Sequence, residues 1–422
     1  MNILYVTWDG PQVTYLESLF LPIFQRLSAV GLHFHILQFT WGEETLIERR
    51  RQACRAAGLA YRAQRVRRRP RALGGLLTAL EGARLIRRTI DEQRIDALMP
   101  RSTLPALASL LALRGRALPM VFDADGLPLD ERVEFAGQSP SSLVQRLLRD
   151  VEAQAVRRAD RVLTRSQPAV EILLARAGPG TSPGKFQVVG NGRDTERFSP
   201  GDADSRQRMR ARLGLAADAP LLVYAGSLGP QYCQEEMFRL FERILQRRAD
   251  ARLLVLTGSP ESLQPTLERF AALAPAVTCL SVPGEAVPGY LACADLGLAL
   301  RRSSFSMRGV APIKLGEYLL CGLPVLASPG IGDTDAIAAR AGRLLAAPAD
   351  AELERAARWF CDEVLAQREA WRERCRNLGL RHFSLEACAD AYAAALTPLR
   401  TSVQAASPQP SLSGSQPRGE PR

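Results

Sequence analysis

Lysine and histidine are almost missing from this chain of 422 residues. Lys185 and Lys314 are the only lysines among 55 basic residues, so the other 53 are arginines. The three histidines are His33, His35 and His382, and the first two open a strand, where they read as structural. Long apolar runs are absent as well. The longest, LPALASLLAL (104–113), has ten residues, short of the ~18 that span a bilayer. The eight cysteines include no Cys-x-x-Cys pair and no histidine at zinc spacing. They read as reduced thiols of a cytoplasmic protein, possessing neither disulfide nor zinc. The opening MNILYVTWDG lacks a basic region and a small-residue cleavage site, so no secretory signal is expected. What remains is ordinary globular composition, 46% hydrophobic and 23% charged. Its length suits two α/β domains with a core that needs no covalent staple.

The net charge of +11 is local. Residues 49–88 hold thirteen arginines and one acid, Glu81, so the rest of the chain is close to neutral. Nucleic-acid surfaces interleave aromatic rings for base stacking. This stretch has only Tyr61, so no nucleic-acid partner is assigned. An anionic membrane surface, a charged glycan or a plain solvated face remain as readings. Each basic side chain near an anionic bilayer contributes about 1 kcal/mol, so a few suffice for reversible docking. The helical stretch 74–93 sets Leu76, Leu77, Leu80, Leu85 and Ile86 beside Arg84, Arg87 and Arg88, a pattern that can lie in the membrane interface.

Short β runs alternate with helical stretches throughout. The spacing predicts strands over 2–8, 34–39, 95–100, 119–124, 161–166 and 186–191, then a polar linker over 199–220 with one short helix. The alternation restarts with strands over 221–226, 252–258, 277–282, 295–300 and 323–328. Such alternation implies parallel sheets with right-handed crossovers, here two doubly wound α/β domains. The boundaries read as 1–198 for an acceptor-binding domain and 199–383 for a nucleotide-binding domain. A helix over 384–400 is expected to return to the first domain, and 401–422 reads as a disordered tail. Ligands of such sheets bind beyond the carboxyl ends of the strands, which makes the interdomain cleft the expected site.

The segment APIKLGEYLLCGLPVLASPG (311–330) carries the most chemistry. Pro312 suits the start of a helix, Gly322 ends it, and LPVLAS follows as a buried strand. The first-turn amides at Ile313 and Lys314 would then face the cleft and favour a diphosphate. Glu317, on the same face as Lys314, can accept two hydroxyl hydrogens from a vicinal diol such as ribose. Arg301 directly follows the strand DLGLAL. It either grips phosphate through two parallel hydrogen bonds or stays a solvated loop charge. In the first half, Gly10 ends the opening strand, and FDADGLPLDERVE (122–134) offers Asp123, Asp125, Asp130, Glu131 and Arg132. Gly10, Asp125 and Arg132 are the acceptor-side candidates, although Asp125-Gly126 also reads as a simple turn.

Three ordered segments resemble the GT-B-fold glycosyltransferases of family 4. One is the 311–330 stretch, with Pro312, Ile313, Lys314, Glu317 and Tyr318 before Cys-Gly-Leu-Pro-Val. Another is VVGNGRDTERFSP (188–200), with Asn191, Gly192, Asp194, Phe198 and Pro200. The third is VYAGSLG (223–229), with Gly226, Ser227 and Gly229 as the glycine loop of the donor domain. The resemblance implies two Rossmann-like domains facing across a cleft. It also implies sugar transfer from a nucleoside diphosphate donor, UDP or GDP type, with retained anomeric configuration and no metal. Lys314, Arg301 and Asp125 become the catalytic candidates, and a glycan or lipid-linked acceptor the partner. Related enzymes build bacterial surface polysaccharides or glycolipids at the inner face of the membrane.

The chain departs from the family pattern at three points. The first of two glutamates eight positions apart is replaced by Gly309. The glycine loop lacks the usual Arg and Lys, and no histidine lies near Asp125. Asp123-Ala-Asp125 matches the Asp-x-Asp metal motif of the other main glycosyltransferase fold, but the two-domain organisation opposes it, so no metal is assigned. A sugar-nucleotide epimerase and a catalytically inactive nucleotide-binding homologue remain as alternatives.

Overall fold

The computed structural model describes residues 1–69, 74–346 and 349–406, with side chains as far as Thr401. Of the segment read as a tail, residues 401–406 continue the last helix, and the remainder lies outside the described residues.

The first lobe contains strands β1 (Asn2–Asp9), β2 (His33–Thr40), β3 (Ala60–Arg65), β4 (Ala97–Pro100), β5 (Val121–Asp123), β6 (Arg161–Thr164) and β7 (Phe186–Val188). They run parallel in the order β3-β2-β1-β4 and β5-β6-β7, and bridges Leu98–Met120 and Arg101–Asp123 join β4 to β5. The second lobe contains β8 (Leu221–Ala225), β9 (Arg252–Leu256), β10 (Val277–Leu280), β11 (Leu296–Ala299), β12 (Val325–Ala327) and β13 (Gly342–Leu344). Their order is β10-β9-β8-β11-β12-β13, all parallel. Each sheet therefore reverses its winding once, between β1 and β4 and between β8 and β11. Loops that leave adjacent strands in opposite directions open a crevice at that point.

Alternation along each strand feeds two cores. Ile3 and Tyr5 of β1 enter one cluster, and Leu4 and Val6 enter the other. Leu221, Val223 and Ala225 of β8 likewise face one side, and Leu222 and Tyr224 the opposite side. Helices cover both faces, as buried parallel sheets require. The last helix, Leu385–Ala406, places Leu385, Cys388, Tyr392, Ala395, Leu396 and Leu399 in the core of the first lobe, beside helix Leu21–Ala29. It packs there although it follows the second lobe in sequence. All eight cysteines are free thiols.

Two edge strands escape the sequence reading. β3 reads AYRAQR, half polar and only half-buried, because an edge strand needs no continuous apolar run. β13 has only three residues and opens on Gly342. His33 and His35 do open β2, at the end of the sheet away from the cleft.

One buried carboxylate ties the linker to the second lobe. Asp295 is 4% exposed. It accepts from the Leu221 backbone N–H at 2.9 Å and Arg210 Nη1 at 3.5 Å, and forms an ion pair with Arg368 Nε at 3.2 Å. Arg210 lies on the linker helix Ala203–Arg212, and Arg368 starts the helix Arg368–Phe383. Asp295→Ala leaves a buried guanidinium without its counter-charge, and the expected loss is about 3–5 kcal/mol. Urea unfolding followed by Trp359 and Trp371 fluorescence measures it. A loss below about 1 kcal/mol, the scale of a surface ion pair, would show that the network is dispensable.

Candidate active site

A cavity of about 360 Å³ lies between the two carboxyl edges, lined from the first lobe by Arg101, Asp125, Glu131 and Arg165. From the second lobe come Gly226, Tyr232, Arg301, the strip Gly309–Lys314 and Glu317. Both winding reversals thus contribute, since Arg101 follows β4, Gly226 follows β8 and Arg301 follows β11 by two residues.

On the second lobe, the helix Ile313–Leu320 begins after Pro312, which adopts an extended ψ of 115°. Asn191 Nδ2 donates to the Ala311 carbonyl at 2.7 Å and fixes the approach to the first turn. Helix geometry leaves the Ile313 and Lys314 amides without carbonyl partners, whereas the Leu315 N–H donates to the Pro312 carbonyl at 3.2 Å, and Ile313 and Lys314 line the cleft. Lys314 is 8% exposed. Its Nζ sits 4.0 Å from the Tyr224 ring centroid and 4.1 Å from that of Tyr232, with no hydrogen-bond partner among the described residues. Burial first, and the Arg301 charge second, push the ammonium well below its ordinary pKa, against an upward pull from Glu317. The two rings offset part of that cost through cation–π attraction. Gly226, at φ +140°, makes room for the lysine, because a Cβ there would come within 3.1 Å of Nζ.

Arg301 is held rather than solvated. Its Nη2 donates to Tyr232 Oη at 2.9 Å, its backbone N–H donates to Ser328 Oγ at 2.9 Å, and its guanidinium lies 4.9 Å from the Tyr232 ring. Two cations with incomplete hydrogen bonding thus meet at the start of one helix. An orphaned buried ammonium is costly unless an anion completes it, so the pocket fits a phosphate-bearing ligand.

Glu317, one turn into the helix, accepts from Arg193 Nε through Oε1 at 3.0 Å. Arg193 is 5% exposed, and its Nη1 also donates to the Ser18 carbonyl of the first lobe at 3.3 Å. The carboxylate is thereby oriented before any ligand arrives, with Oε2 unengaged among the described residues. Arg193 and Asn191 explain the 188–200 segment physically, because both reach the donor helix.

On the first lobe, Arg101 donates to Asp123 Oδ2 at 3.3 Å and to Asp125 Oδ1, and Arg165 Nη2 donates to both Asp123 oxygens at 2.9 Å. These two arginines and two aspartates form a formally neutral floor in which Arg101, Arg165 and Asp123 are buried and Asp125 is half-buried at the cavity. Ser102 and Asp125 adopt left-handed backbone at φ 67° and 54°. Non-glycine residues held there store strain that clusters at functional sites. Burial raises the Asp125 pKa, and Arg101 and Arg165 pull it back. The Asp-x-Asp pair is therefore engaged by arginine. Among the described residues, no group of three His, Cys, Asp or Glu is placed to hold a metal.

The lobes touch. A Cβ on Gly126 would meet the Gly309 carbonyl at 2.6 Å, and one on Gly309 would meet Leu127 Cγ at 2.7 Å. Glu134 accepts from the Ser306 backbone N–H and from the Ser304 and Ser306 hydroxyls. Ser166 Oγ donates to the Arg308 carbonyl at 2.6 Å. The position of the missing family glutamate is thus a bare backbone contact, too tight for a side chain in this closed form.

Lys314, Arg301, Asp125, Gly226, Ile313 and Glu317 share one cavity, as their sequence positions suggested. Gly10, Ser227, Gly229 and Arg132 do not line it. Gly10 packs against Trp41, whose ring a Cβ would meet at 2.7 Å. Tyr232 rather than Ser227 or Gly229 lies over Lys314, the Ser227 carbonyl accepts from Tyr224 Oη, and Gly229 abuts Gln231. Arg132 lies on the helix Pro128–Phe135, where Pro128 and Glu131 face the cleft and Arg132 turns into a separate cavity. Sequence reasoning missed Tyr232, Arg101, Arg165 and Arg193. Arginines were too common to stand out, and the tyrosine matches no motif.

Comparison with known proteins agrees with this geometry. Residues 21–197 match the model of Glycosyltransferase Family 4, and residues 219–362 match that of Glycosyl transferases group 1. The D-inositol 3-phosphate glycosyltransferase of Stackebrandtia nassauensis is 28% identical over 257 residues, 58% of this chain and 55% of that protein. That of Kribbella flavida is 27% identical over 168 residues, 39% and 38% of the two chains. The matched part thus spans about half the length of these curated relatives or less. Among solved structures, Anabaena HepE in complex with UDP-glucose superposes with a TM-score of 0.70 at 15% identity, covering 94% of this chain and 100% of that one. Sucrose-phosphate synthase from Thermosynechococcus elongatus gives 0.67 at 17%, covering 95% and 100%. The matched family models fall in order on the two lobes whose facing edges build the cavity, and the chain belongs to the GT-B-fold glycosyltransferases of family 4 type.

Proposed function

We propose that the protein transfers a sugar from a nucleoside diphosphate donor, of the UDP class, to a hydroxyl acceptor. The observation that carries this reading is the buried, unpartnered Lys314 ammonium beside Arg301 at the start of the helix Ile313–Leu320. HepE binds UDP-glucose on the same fold, which supports the UDP class. WaaG, a glycosyltransferase involved in lipopolysaccharide biosynthesis, superposes with a TM-score of 0.67 at 17% identity over 94% of this chain and 99% of that one. Its role supports a bacterial surface glycan or glycolipid as the context. Six of the twelve described arginines in residues 49–88 are held by acids, and Arg69 and Arg84 are among those left exposed. Arg50 is buried on Glu17, and Arg51, Arg62, Arg65, Arg67 and Arg88 are ion-paired.

The pyrophosphate lies against Lys314, Arg301 and the first-turn amides, and the ribose diol against Glu317. As the C1–O bond to the diphosphate breaks, negative charge grows where these groups converge. The acceptor oxygen bonds C1, and its proton passes to an oxygen of the leaving diphosphate. Asp125, held by Arg101, orients that hydroxyl. Retention of configuration and a metal-free reaction are part of this reading, through the family resemblance. The contacting lobes exclude the water that would hydrolyse the donor.

A thermal-shift panel of UDP, UDP-glucose and GDP tests the donor, since a ligand bound only by the native state raises the melting point. UDP is expected to stabilise the protein. Glu317→Gln keeps an acceptor for Arg193 yet loses the charge, and is expected to weaken UDP at least about tenfold, or 1.4 kcal/mol. Unchanged affinity removes the ribose assignment.

Lys314 makes a second, sharper test. Its folded-state pKa is depressed, so the unfolded chain binds the proton more readily and the charged lysine costs stability at neutral pH. That cost fades as pH rises towards the unfolded value near 10.4. Lys314→Met is therefore expected to raise the melting point of the ligand-free protein at pH 7 while weakening UDP. In the wild type, UDP affinity should fall as pH rises through the depressed pKa, and the variant should lose this dependence. Isothermal titration across pH measures both. A variant that binds UDP as wild type does would displace the lysine from the phosphate site.

A further inference from the structure

A second cavity, of about 380 Å³, opens on the outer side of the first lobe. Leu76, Leu104, Val144 and Leu148 give it an apolar wall, and Ser142 and Arg132 stand among its polar lining. Its walls are the helices Gly74–Glu92 and Leu143–Arg158, which flank the helix Thr103–Ala112. Gln145, buried, donates to the Leu129 carbonyl at 2.8 Å and ties the second wall to the helix Pro128–Phe135.

Both walls carry leucines that the fold leaves in water. Leu143 is 79% exposed and Leu147 44%, one turn apart, and each precedes a residue that lines the cavity. Leu77 is 42% exposed and Leu80 53% on the other wall. Arg84 continues the Leu77–Leu80 face at helical spacing. It is exposed and has no ion pair among the described residues, as is Arg69 before the helix. Glu81 on the same turn is paired with Arg67. Scattered single leucines need no explanation, but four on two neighbouring helices beside an apolar cavity do. Exposed leucines alternating with unpaired arginines are complementary to an anionic lipid surface, acyl region under charged headgroups.

We propose that this face inserts into an anionic bilayer, with a lipid chain entering the cavity. The placement serves the reaction. The helix Pro128–Phe135 presents Pro128 and Glu131 to the catalytic cleft and Arg132 to the apolar cavity. A single helix therefore separates the acceptor side of the cleft from the lipid site, and a lipid-linked acceptor would reach one while anchored at the other. This purpose rests on the sugar-transfer reading; the lipid surface itself does not. It also revises the expectation for the stretch 74–93. Leu77, Leu80 and Arg84 face outward, whereas Ile86 is buried and Arg87 is engaged by the Leu111 and Ala112 carbonyls.

Flotation of the full chain with vesicles tests the proposal. One set contains equal parts phosphatidylglycerol and phosphatidylcholine, and the other phosphatidylcholine alone; neither donor nor acceptor is present. The wild type is expected to float with the anionic vesicles and not with the neutral ones. Leu143→Ser with Leu147→Ser, and separately Leu77→Ser with Leu80→Ser, should each weaken binding about tenfold or more, as lost apolar insertion predicts. Arg69→Ser with Arg84→Ser should weaken it less and flatten its salt dependence. Each of the three double variants must keep the wild-type UDP-induced thermal shift, which reads the cleft separately and reports folding. Equal flotation of wild type and both leucine pairs overturns the proposal. A wild-type dimer that the leucine substitutions dissolve, with no vesicle binding, would also overturn it and assign the face to a second copy of the chain.

Discussion

The contact between Arg193 and Glu317 is the constraint on which the site depends. Arg193 belongs to the strand-to-linker junction, Glu317 to the helix Ile313–Leu320, and the Ser18 carbonyl on the same guanidinium to the first lobe. One buried side chain thus reads the positions of three separate parts of the chain. A buried arginine needs its acceptors in place, so their relative placement is energetically enforced. The backbone of Arg193 is fixed too. Its N–H donates to the Phe383 carbonyl at 2.9 Å, and its own carbonyl accepts from the Leu385 N–H at 2.9 Å. The turn into the last helix is consequently part of the same joint, and that helix carries the connection back to the first lobe.

Charge is arranged differently on the two walls of the cleft. The floor of the first lobe balances Arg101 and Arg165 against Asp123 and Asp125, so it presents hydrogen-bonding geometry with little net charge. The second lobe leaves Lys314 and Arg301 under-paired and lets aromatic faces of Tyr224 and Tyr232 carry them. Such a division suits a reaction in which one partner is a polyanion and the other a neutral hydroxyl. The closed contact at Gly126 and Gly309 brings the walls together where neither residue has a side chain.

Much of this was legible in the sequence. Alternating strand and helix runs gave the paired sheets, because buried parallel strands must be continuously apolar and crossovers must be helical. Lys314 stood out because the chain otherwise avoids lysine, and Glu317 because helical spacing set it on the same face. The edge strand β3 was invisible because its arginines masked a pattern that an edge needs only weakly. Arg132 and Glu131 are adjacent in sequence, and only the rotation of a short helix decides which one enters the cleft.

By itself, then, the amino-acid order determined the two lobes, the helix Ile313–Leu320 that lines the cleft and the two charged residues upon it. These follow from local periodicity and from residue types whose chemistry has few alternatives. The tertiary structure alone decided which of many arginines matter, and why Gly309 is tolerated. It also revealed the leucines that two distant helices leave facing outward around one cavity. Those features depend on contacts between segments far apart in the chain, more than a hundred residues for Arg193 to Glu317 and for Gly126 to Gly309. No local pattern records such distances, because each partner is an ordinary residue until the fold sets the other beside it.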